Sequence, residues 1–293
     1  AVVKHVAGRV PVIAGSGSNS TQTMLTKSLT YQGLGADGLL LITPYYNKSN
    51  EEGIYQHFKT VADAVDIPCI LYNIPGRCGC GISERNVERL AAHPNIMGIK
   101  EASGNVAYAA KIAHLLSDDF RMYSGEDALT VPLMSLGASG TISVWADVQP
   151  QLVHDMCRAY LDGDVARARD IQIAGQPLIN ALFSEVNPIP VKEALAQMGM
   201  IEANYRMPLC PMADDTRSAL TDGTGRMGSL IRTTAESIVD AAGQPVFDIV
   251  AQIGFDLSEL ENAPAADVII DFSNVVTFDA VVAFVERTGA ALV

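Results

Sequence analysis

Pro68-Cys69-Ile70-Leu71-Tyr72-Asn73, then Ser83-Glu84-Arg85-Asn86-Val87-Glu88-Arg89-Leu90-Ala91-Ala92, then Ile96-Met97-Gly98-Ile99-Lys100 is the stretch on which the fold turns. Two short apolar runs with β-branched residues flank a longer amphipathic run, the pattern of a strand, a helix and a second, parallel strand. Working outward, the same unit recurs. Strands are expected at 10–14, 38–43, 68–73, 96–100, 121–124 and 140–144. Helices are expected at 21–32, 51–64, 83–92, 106–116 and 128–136, with another at 150–161 after the last strand. Only helices follow, at 165–183 and 190–198, the second opening on Pro190, a residue suited to a first helical turn.

Six consecutive βα units and a helical tail predict an incomplete TIM (β/α)8 barrel, an architecture of eight such units. The series opens on what reads as the tail of a helix running into Val10, so the pair expected to be absent is the first two units. On this reading the chain is a fragment of a barrel, with two strand edges left unpaired.

The pattern changes near residue 220. Asp222-Gly223-Thr224-Gly225-Arg226-Met227-Gly228 opens an expected helix at 229–242, followed by strands at 247–253 and 267–272, a helix at 277–287 and the start of a strand near 290. This predicts a partial Rossmann-like βαβ segment over 221–293 after a barrel region over 1–220. Gly223, Gly225 and Gly228 would let backbone N–H groups at a helix start receive a pyrophosphate. Only Ala219-Leu220-Thr221 is available as a preceding strand. Gly254 stands where an acidic residue for the ribose is expected, with Asp256 two residues later.

Composition narrows the function. The 293 residues are 48% hydrophobic, enough for a sizeable core, and carry 33 Asp and Glu against 20 Lys and Arg, a net charge of -13. That charge repels phosphate backbones and anionic lipid, so nucleic-acid and membrane partners are not expected. There is no long apolar run and no signal peptide at the start, and the protein is expected to be cytoplasmic. The five cysteines are an odd number in a chain that needs no disulfide framework. Cys78 and Cys80 form a C-x-C pair, but nothing completes a tetrahedral zinc site, and no metal is expected. The five histidines are scattered and read as surface or packing residues.

In a barrel of this kind the chemistry sits at the carboxyl ends of the strands. The polar residues there are Ser16, Thr43-Pro44-Tyr45-Tyr46-Asn47, Tyr72-Asn73-Ile74-Pro75-Gly76-Arg77, Lys100-Glu101, Gly125-Glu126 and Ile142-Ser143. An isolated lysine at a strand end ordinarily snorkels to solvent. One held at the end of a hydrophobic strand is costly to keep charged, and its neutral amine is a nucleophile for a ketone. Imine formation then needs a proton relay, which a tyrosine hydroxyl can supply.

Leu71-Tyr72-Asn73-Ile74-Pro75-Gly76-Arg77-Cys78-Gly79, Gly98-Ile99-Lys100-Glu101-Ala102-Ser103-Gly104 and Thr43-Pro44-Tyr45-Tyr46-Asn47 resemble the three signature motifs of the dihydrodipicolinate synthase family. Ser124-Gly125-Glu126-Asp127 and Asn187-Pro188-Ile189-Pro190-Val191-Lys192 fit it too, over residues 1–220. The resemblance implies a lyase of lysine and diaminopimelate biosynthesis that condenses pyruvate with aspartate semialdehyde, without a cofactor, through a lysine imine. It implies that Lys100 carries the imine, that Tyr72 transfers protons beside it, and that Arg77 grips the semialdehyde carboxylate with its planar fork. It further implies that Tyr46 reaches across a dimer interface into the relay, within a dimer or tetramer, and that Gly125 and Ile142 line the pyruvate pocket. Asn19 and Tyr45 correspond to positions that bind lysine as feedback inhibitor, and Thr23 stands where lysine-sensitive members carry a glutamate. The family's Gly-Thr-Thr-Gly-Glu segment, source of a relay threonine and of pyruvate contacts, does not occur in this sequence.

Lyases that share the imine, such as N-acetylneuraminate lyase, are the rival reading, and Arg77 argues against them. A catalytically inactive fusion fragment is the other. Residues 221–293 resemble the first part of dihydrodipicolinate reductase through Gly223, Gly225, Arg226, Met227 and Gly228 and through Asp271-Phe272-Ser273. That likeness implies NAD(P)H binding by these residues without the reductase's catalytic segment.

Overall fold

The computed structural model describes residues 1–221 and, of the remainder, 268–269, 285–288 and 291–292. The chain divides into two compact units, Ala1–Ser143 with Cys157–Ala168, and Val144–Met156 with Arg169–Val293.

The first unit is built on a parallel sheet of β1 (Ile13–Gly15), β2 (Gly38–Ile42), β3 (Cys69–Asn73), β4 (Ile96–Glu101) and β5 (Arg121–Ser124), paired in that order. Between them run α2 (Thr21–Gly33), α3 (Glu51–Ala62), the single turn α4 (Pro75–Cys78), α5 (Glu84–Ala91) and α6 (Val106–Ile112), with α1 (Val2–Val6) before β1 and α7 (Thr130–Met134) after β5. Four of these helices start at a side-chain cap that the sequence itself supplies. The Ser20, Asn50, Ser83 and Asn105 side chains accept hydrogen bonds from the N–H groups of Thr23, Gly53, Asn86 and Tyr108. The loops at the carboxyl ends of the strands therefore stop at defined residues. The expected short repeat of strand, loop, cap and helix holds through five strands.

Alternation along the strands sets the core. Leu39 and Leu41, Leu71, Ile99 and Met122 are fully buried and pack with Phe58 and Val61 of α3, Val87 and Leu90 of α5, and Ile112 of α6. Gly98 fits the crowded β4–β5 rung because a Cβ there would collide with the Arg121 carbonyl.

Several boundaries differ from those expected. The strand expected at 10–14 shrinks to Ile13–Gly15, since Pro11 has no N–H to offer a ladder and the Val12 N–H is taken by Asp37 Oδ2 at 2.7 Å. The strand expected at 140–144 is a single parallel bridge between Thr141 and Ser124. Gly140 at φ 148° bends the chain on one side of that bridge, and α8 (Trp145–Val148) begins soon after it. The helix expected at 128–136 is split into a 3-10 turn, Asp127–Leu129, and α7.

The second unit contains α8, α10 (Val165–Leu182) from Arg169 onward, α11 (Ile189–Gln197) and α12 (Asp214–Thr221), with α9 (Pro150–Leu161) divided between the two units. Trp145 is fully buried, its Nε1–H donates to Gln149 Oε1 at 2.8 Å, and Gly175 of α10 abuts the indole so closely that a Cβ would collide with it. Pro190 occupies the first turn of α11, as its fixed φ favours. Residues 219–221, expected as a weak strand, instead finish α12, because they continue a helix begun at Asp214. Among the described residues beyond 221, β6 (Val268–Ile269) and β7 (Ala291–Leu292) pair in parallel. The glycine-rich run 222–228 and the expected residues Phe272 and Ser273 lie outside the described residues.

Ile99 is fully buried in the core between the sheet and its helices, so Ile99→Ala is predicted to lower stability by about 2–5 kcal/mol. Urea unfolding of the full chain measures this, and a loss below about 1 kcal/mol would contradict the packing described.

Candidate active site

The parallel register of the sheet assembles the site. Tyr72 of β3 pairs with Ile42 of β2 on one side and with Lys100 of β4 on the other, and Lys100 pairs in turn with Tyr123 of β5. In-register residues of neighbouring strands share a face. While Leu71, Ile99 and Met122 turn to the helices, Tyr72, Lys100 and Tyr123 form a half-buried row on the opposite face. Lys100 Nζ lies 4.4 Å from the centre of the Tyr72 ring. That contact holds the amine over an aromatic face, attractive to its cationic form and tolerant of its neutral one.

Burial pushes the Tyr72 hydroxyl above its ordinary pKa, with the charges of Cys78 and Glu126 adding to the shift and that of Arg77 opposing it. The hydroxyl therefore stays protonated at neutral pH, a donor that can lend and recover a proton. Glu126, after β5, is also raised, by burial first and by the Asp127 charge second.

Gly125 is a spatial requirement. A Cβ there would stand 2.7 Å from Lys100 Cε, 2.9 Å from Lys100 Cγ and 2.7 Å from the Ala102 Cβ. The lysine thus runs along bare backbone at the end of β5. Ile142 is held next to this point, its N–H donating to the Ser124 carbonyl at 2.8 Å.

The loops bring up the remaining expected residues. Arg77 is exposed on α4, close enough for its charge to act on the Tyr72 hydroxyl. The Tyr46 N–H donates to the Cys78 carbonyl at 3.4 Å, joining the loop after β2 to that turn. Tyr46 itself adopts φ 69° and leaves its side chain 90% exposed, outside the cluster around Lys100. Asn19 and Tyr45 lie in adjoining loops, linked by Asn47 Nδ2–H donating to the Asn19 carbonyl at 3.0 Å. Cys78 is buried, and Cys80 sits against the Pro44 carbonyl at 3.1 Å with its thiol raised by burial. Among the described residues no three His, Cys, Asp or Glu side chains gather as a metal would require.

Lys100, Tyr72, Gly125 and Ile142 are therefore placed together, with Arg77 at the rim. The sequence reading missed Tyr123, although counting two residues on from Arg121 on a strand parallel to β4 would have found it. It also assigned no part to Asn73 and Glu101, register partners one residue beyond Tyr72 and Lys100. Both are 2% exposed, and Asn73 Nδ2–H donates to Glu101 Oε2 at 2.7 Å. Burial raises the Glu101 carboxyl, and hydrogen bonds from Ser103 and Asn73 act against that shift.

The dihydrodipicolinate synthetase family model matches residues 1–224. The chain belongs to that family. It is 48% identical over 230 residues to the 4-hydroxy-tetrahydrodipicolinate synthase of Pseudomonas savastanoi pv. phaseolicola, covering 78% of this chain and 79% of that one. With the enzyme of the same name from Nitrosomonas europaea it shares 50% identity over 211 residues, 72% of either chain. Among solved structures, dihydrodipicolinate synthase from Aquifex aeolicus superposes with a TM-score of 0.74 at 42% identity, covering 79% of this chain and 78% of that one. The chloride-inhibited dihydrodipicolinate synthase from Acinetobacter baumannii, solved with pyruvate, gives a TM-score of 0.75 at 41% identity over 78% of either chain. The chain thus has the TIM-barrel-like α/β fold of dihydrodipicolinate synthase, with a parallel sheet, and the family is one of lyases in lysine and diaminopimelate biosynthesis.

Because Gly125 leaves no room for a side chain, Gly125→Ala is predicted to cost about 1–3 kcal/mol through overpacking. Combining it with Lys100→Ala should recover part of that loss in a denaturant-unfolding cycle. Strict additivity of the two changes would show that the lysine does not run past residue 125.

Proposed function

We propose that Lys100 forms an imine with pyruvate and that the resulting enamine condenses with aspartate semialdehyde to give 4-hydroxy-tetrahydrodipicolinate. The observation that carries this reading is Lys100 Nζ at 4.4 Å from the Tyr72 ring on paired strand ends, with Gly125 clearing the path of the side chain.

The amine of Lys100 adds to the ketone carbon, and the Tyr72 hydroxyl protonates the departing oxygen, so that the carbinolamine loses water and the imine remains. Loss of a proton from the pyruvyl methyl gives the enamine, whose carbon bonds to the aldehyde carbon of the semialdehyde. The semialdehyde's own amine then displaces Lys100 from the imine, closing the ring and freeing the enzyme. Arg77 holds the semialdehyde carboxylate with two parallel N–H groups, a geometry that lysine lacks. It is also what favours this reaction over that of the N-acetylneuraminate lyases. Gly125 and Ile142 line the space for pyruvate.

The 90% exposed Tyr46 side chain supports a second copy of the chain covering it, in a dimer or tetramer. The linked loops of Asn19 and Tyr45 form the candidate lysine inhibitor site. We assign residues 1–220 to this synthase region.

For residues 221–293 the reductase-like reading rests on the glycine pattern, with the parallel pair β6 and β7 in support. The helical course of 214–221 weighs against a strand leading into that pattern. No chemical step is assigned to a nucleotide there.

Three measurements test these proposals. Borohydride reduction with pyruvate is expected to leave a stable adduct on Lys100 by mass spectrometry, and no adduct would overturn the imine. Tyr72→Phe should slow trapping by about 100-fold or more, whereas Arg77→Lys should leave trapping intact and raise the KM for the semialdehyde. If NADH and NADPH both fail to protect the Arg226 amide from hydrogen exchange, nucleotide binding by 221–293 is wrong.

A further inference from the structure

Beyond the reacting groups, the end of β4 carries a second arrangement with its own logic. Strand ends fray, and the last rung between β3 and β4 is the Asn73–Glu101 pair, one residue past the Tyr72–Lys100 pair and on the opposite face. A carboxyl group 2% exposed on the helix-facing side is costly unless its oxygens are satisfied. Both are: Glu101 Oε2 accepts from Asn73 Nδ2 and Oε1 accepts from the Ser103 N–H, each at 2.7 Å.

The orientation of Asn73 is not free. Its Oδ1 accepts from the Ile82 N–H at 3.0 Å, and a backbone N–H can only donate, so the amide nitrogen must face Glu101. Two donors thus converge on residue 101, and only a group with two acceptor oxygens answers both. Backbone bonds complete the clamp. The Ala102 N–H donates to the Asn73 carbonyl at 2.9 Å and the Gly125 N–H to the Glu101 carbonyl at 2.7 Å.

We infer that the Asn73–Glu101 pair is a positioning latch for the imine lysine and for the Arg77 loop. On one side it holds the peptide between Glu101 and Ala102, directly after Lys100, against β3 and β5, which aims the lysine at Tyr72. On the other, the Ile82–Asn73 bond closes the loop 73–82 on which Arg77 is carried, and the Tyr108 hydroxyl donates to the Ile82 carbonyl at 2.7 Å to hold the far end of that loop. One buried hydrogen-bonded pair thus ties the group for the first substrate to the group for the second. Glu101 faces away from Lys100 and acts through it.

This inference rests on the imine reading, and its test separates the two. Glu101→Gln sets an amide N–H against either the Asn73 amide or the Ser103 N–H. Asn73→Asp sets a carboxylate against the Glu101 carboxylate. The double variant Asn73→Asp/Glu101→Gln restores every pairing with the charge moved to position 73. Its new amide N–H donates to one carboxylate oxygen at 73 while the other oxygen still accepts from Ile82, and the amide oxygen at 101 still accepts from Ser103. The measurement is the rate of borohydride trapping of pyruvate at saturation in the full chain, per mole of folded protein, with thermal unfolding recorded beside it.

Each single change is expected to slow trapping roughly tenfold or more, and the double variant to recover most of the rate. Single variants that fold and trap at the wild-type rate would show a merely structural pair and overturn the latch while leaving the imine standing. A folded double variant as slow as the single ones would overturn it as well. Absence of any adduct in the wild-type chain would remove the imine reading and this role together. Should Asn73→Asp fail to fold, Glu101→Gln and the double variant still decide the matter.

Discussion

The parallel ladder joining β3, β4 and β5 is the constraint on which the site depends. In such a ladder the side-chain period of two leaves no choice of face once the register is set. With Leu71, Ile99 and Met122 committed to the helices, Tyr72, Lys100 and Tyr123 must share the other side. A slip of one residue in β4 would send the lysine into the apolar layer and Ile99 or Glu101 into its place. The hydrophobic core therefore specifies the position of the reactive amine, although none of its residues touches a substrate.

Two further features convert that placement into a usable geometry. Gly125 gives the lysine a path along bare backbone, where any side chain would meet Cε and Cγ. Tyr72 supplies a hydroxyl that burial keeps protonated, carried on the ring over which the amine lies and within reach of the Arg77 charge. The polar rung of Asn73 and Glu101 lies just behind, buried on the opposite face and fully satisfied by donors. Function and stability here occupy alternate residues of the same strands.

Much of the fold was legible because its signals are local. Short runs of four to six residues marked β2 to β5, and the helices expected from 21, 51, 83 and 106 begin within one residue of where the structure starts them. The strand boundaries that moved did so for reasons of pairing. Pro11 cannot donate to a neighbour, and Gly140 bends a run that looked extended, so one strand shortens and another reduces to a bridge. The helical end of α12 at Thr221 was illegible for a similar reason, because three residues carry too little periodicity to separate strand from helix.

By itself the sequence determined the family motifs, the succession of strands and helices, and the presence of a lysine, a tyrosine and an arginine at strand ends. These are properties of neighbouring residues and of spacing, and they survive without coordinates. Only the tertiary structure decided that Tyr123 stands beside Lys100, that Gly125 is bare because the lysine passes it, and that Asn73 and Glu101 meet. Each of those depends on register between strands separated along the chain by a whole helix and its loops, and register is settled by which faces pack together rather than by any one segment.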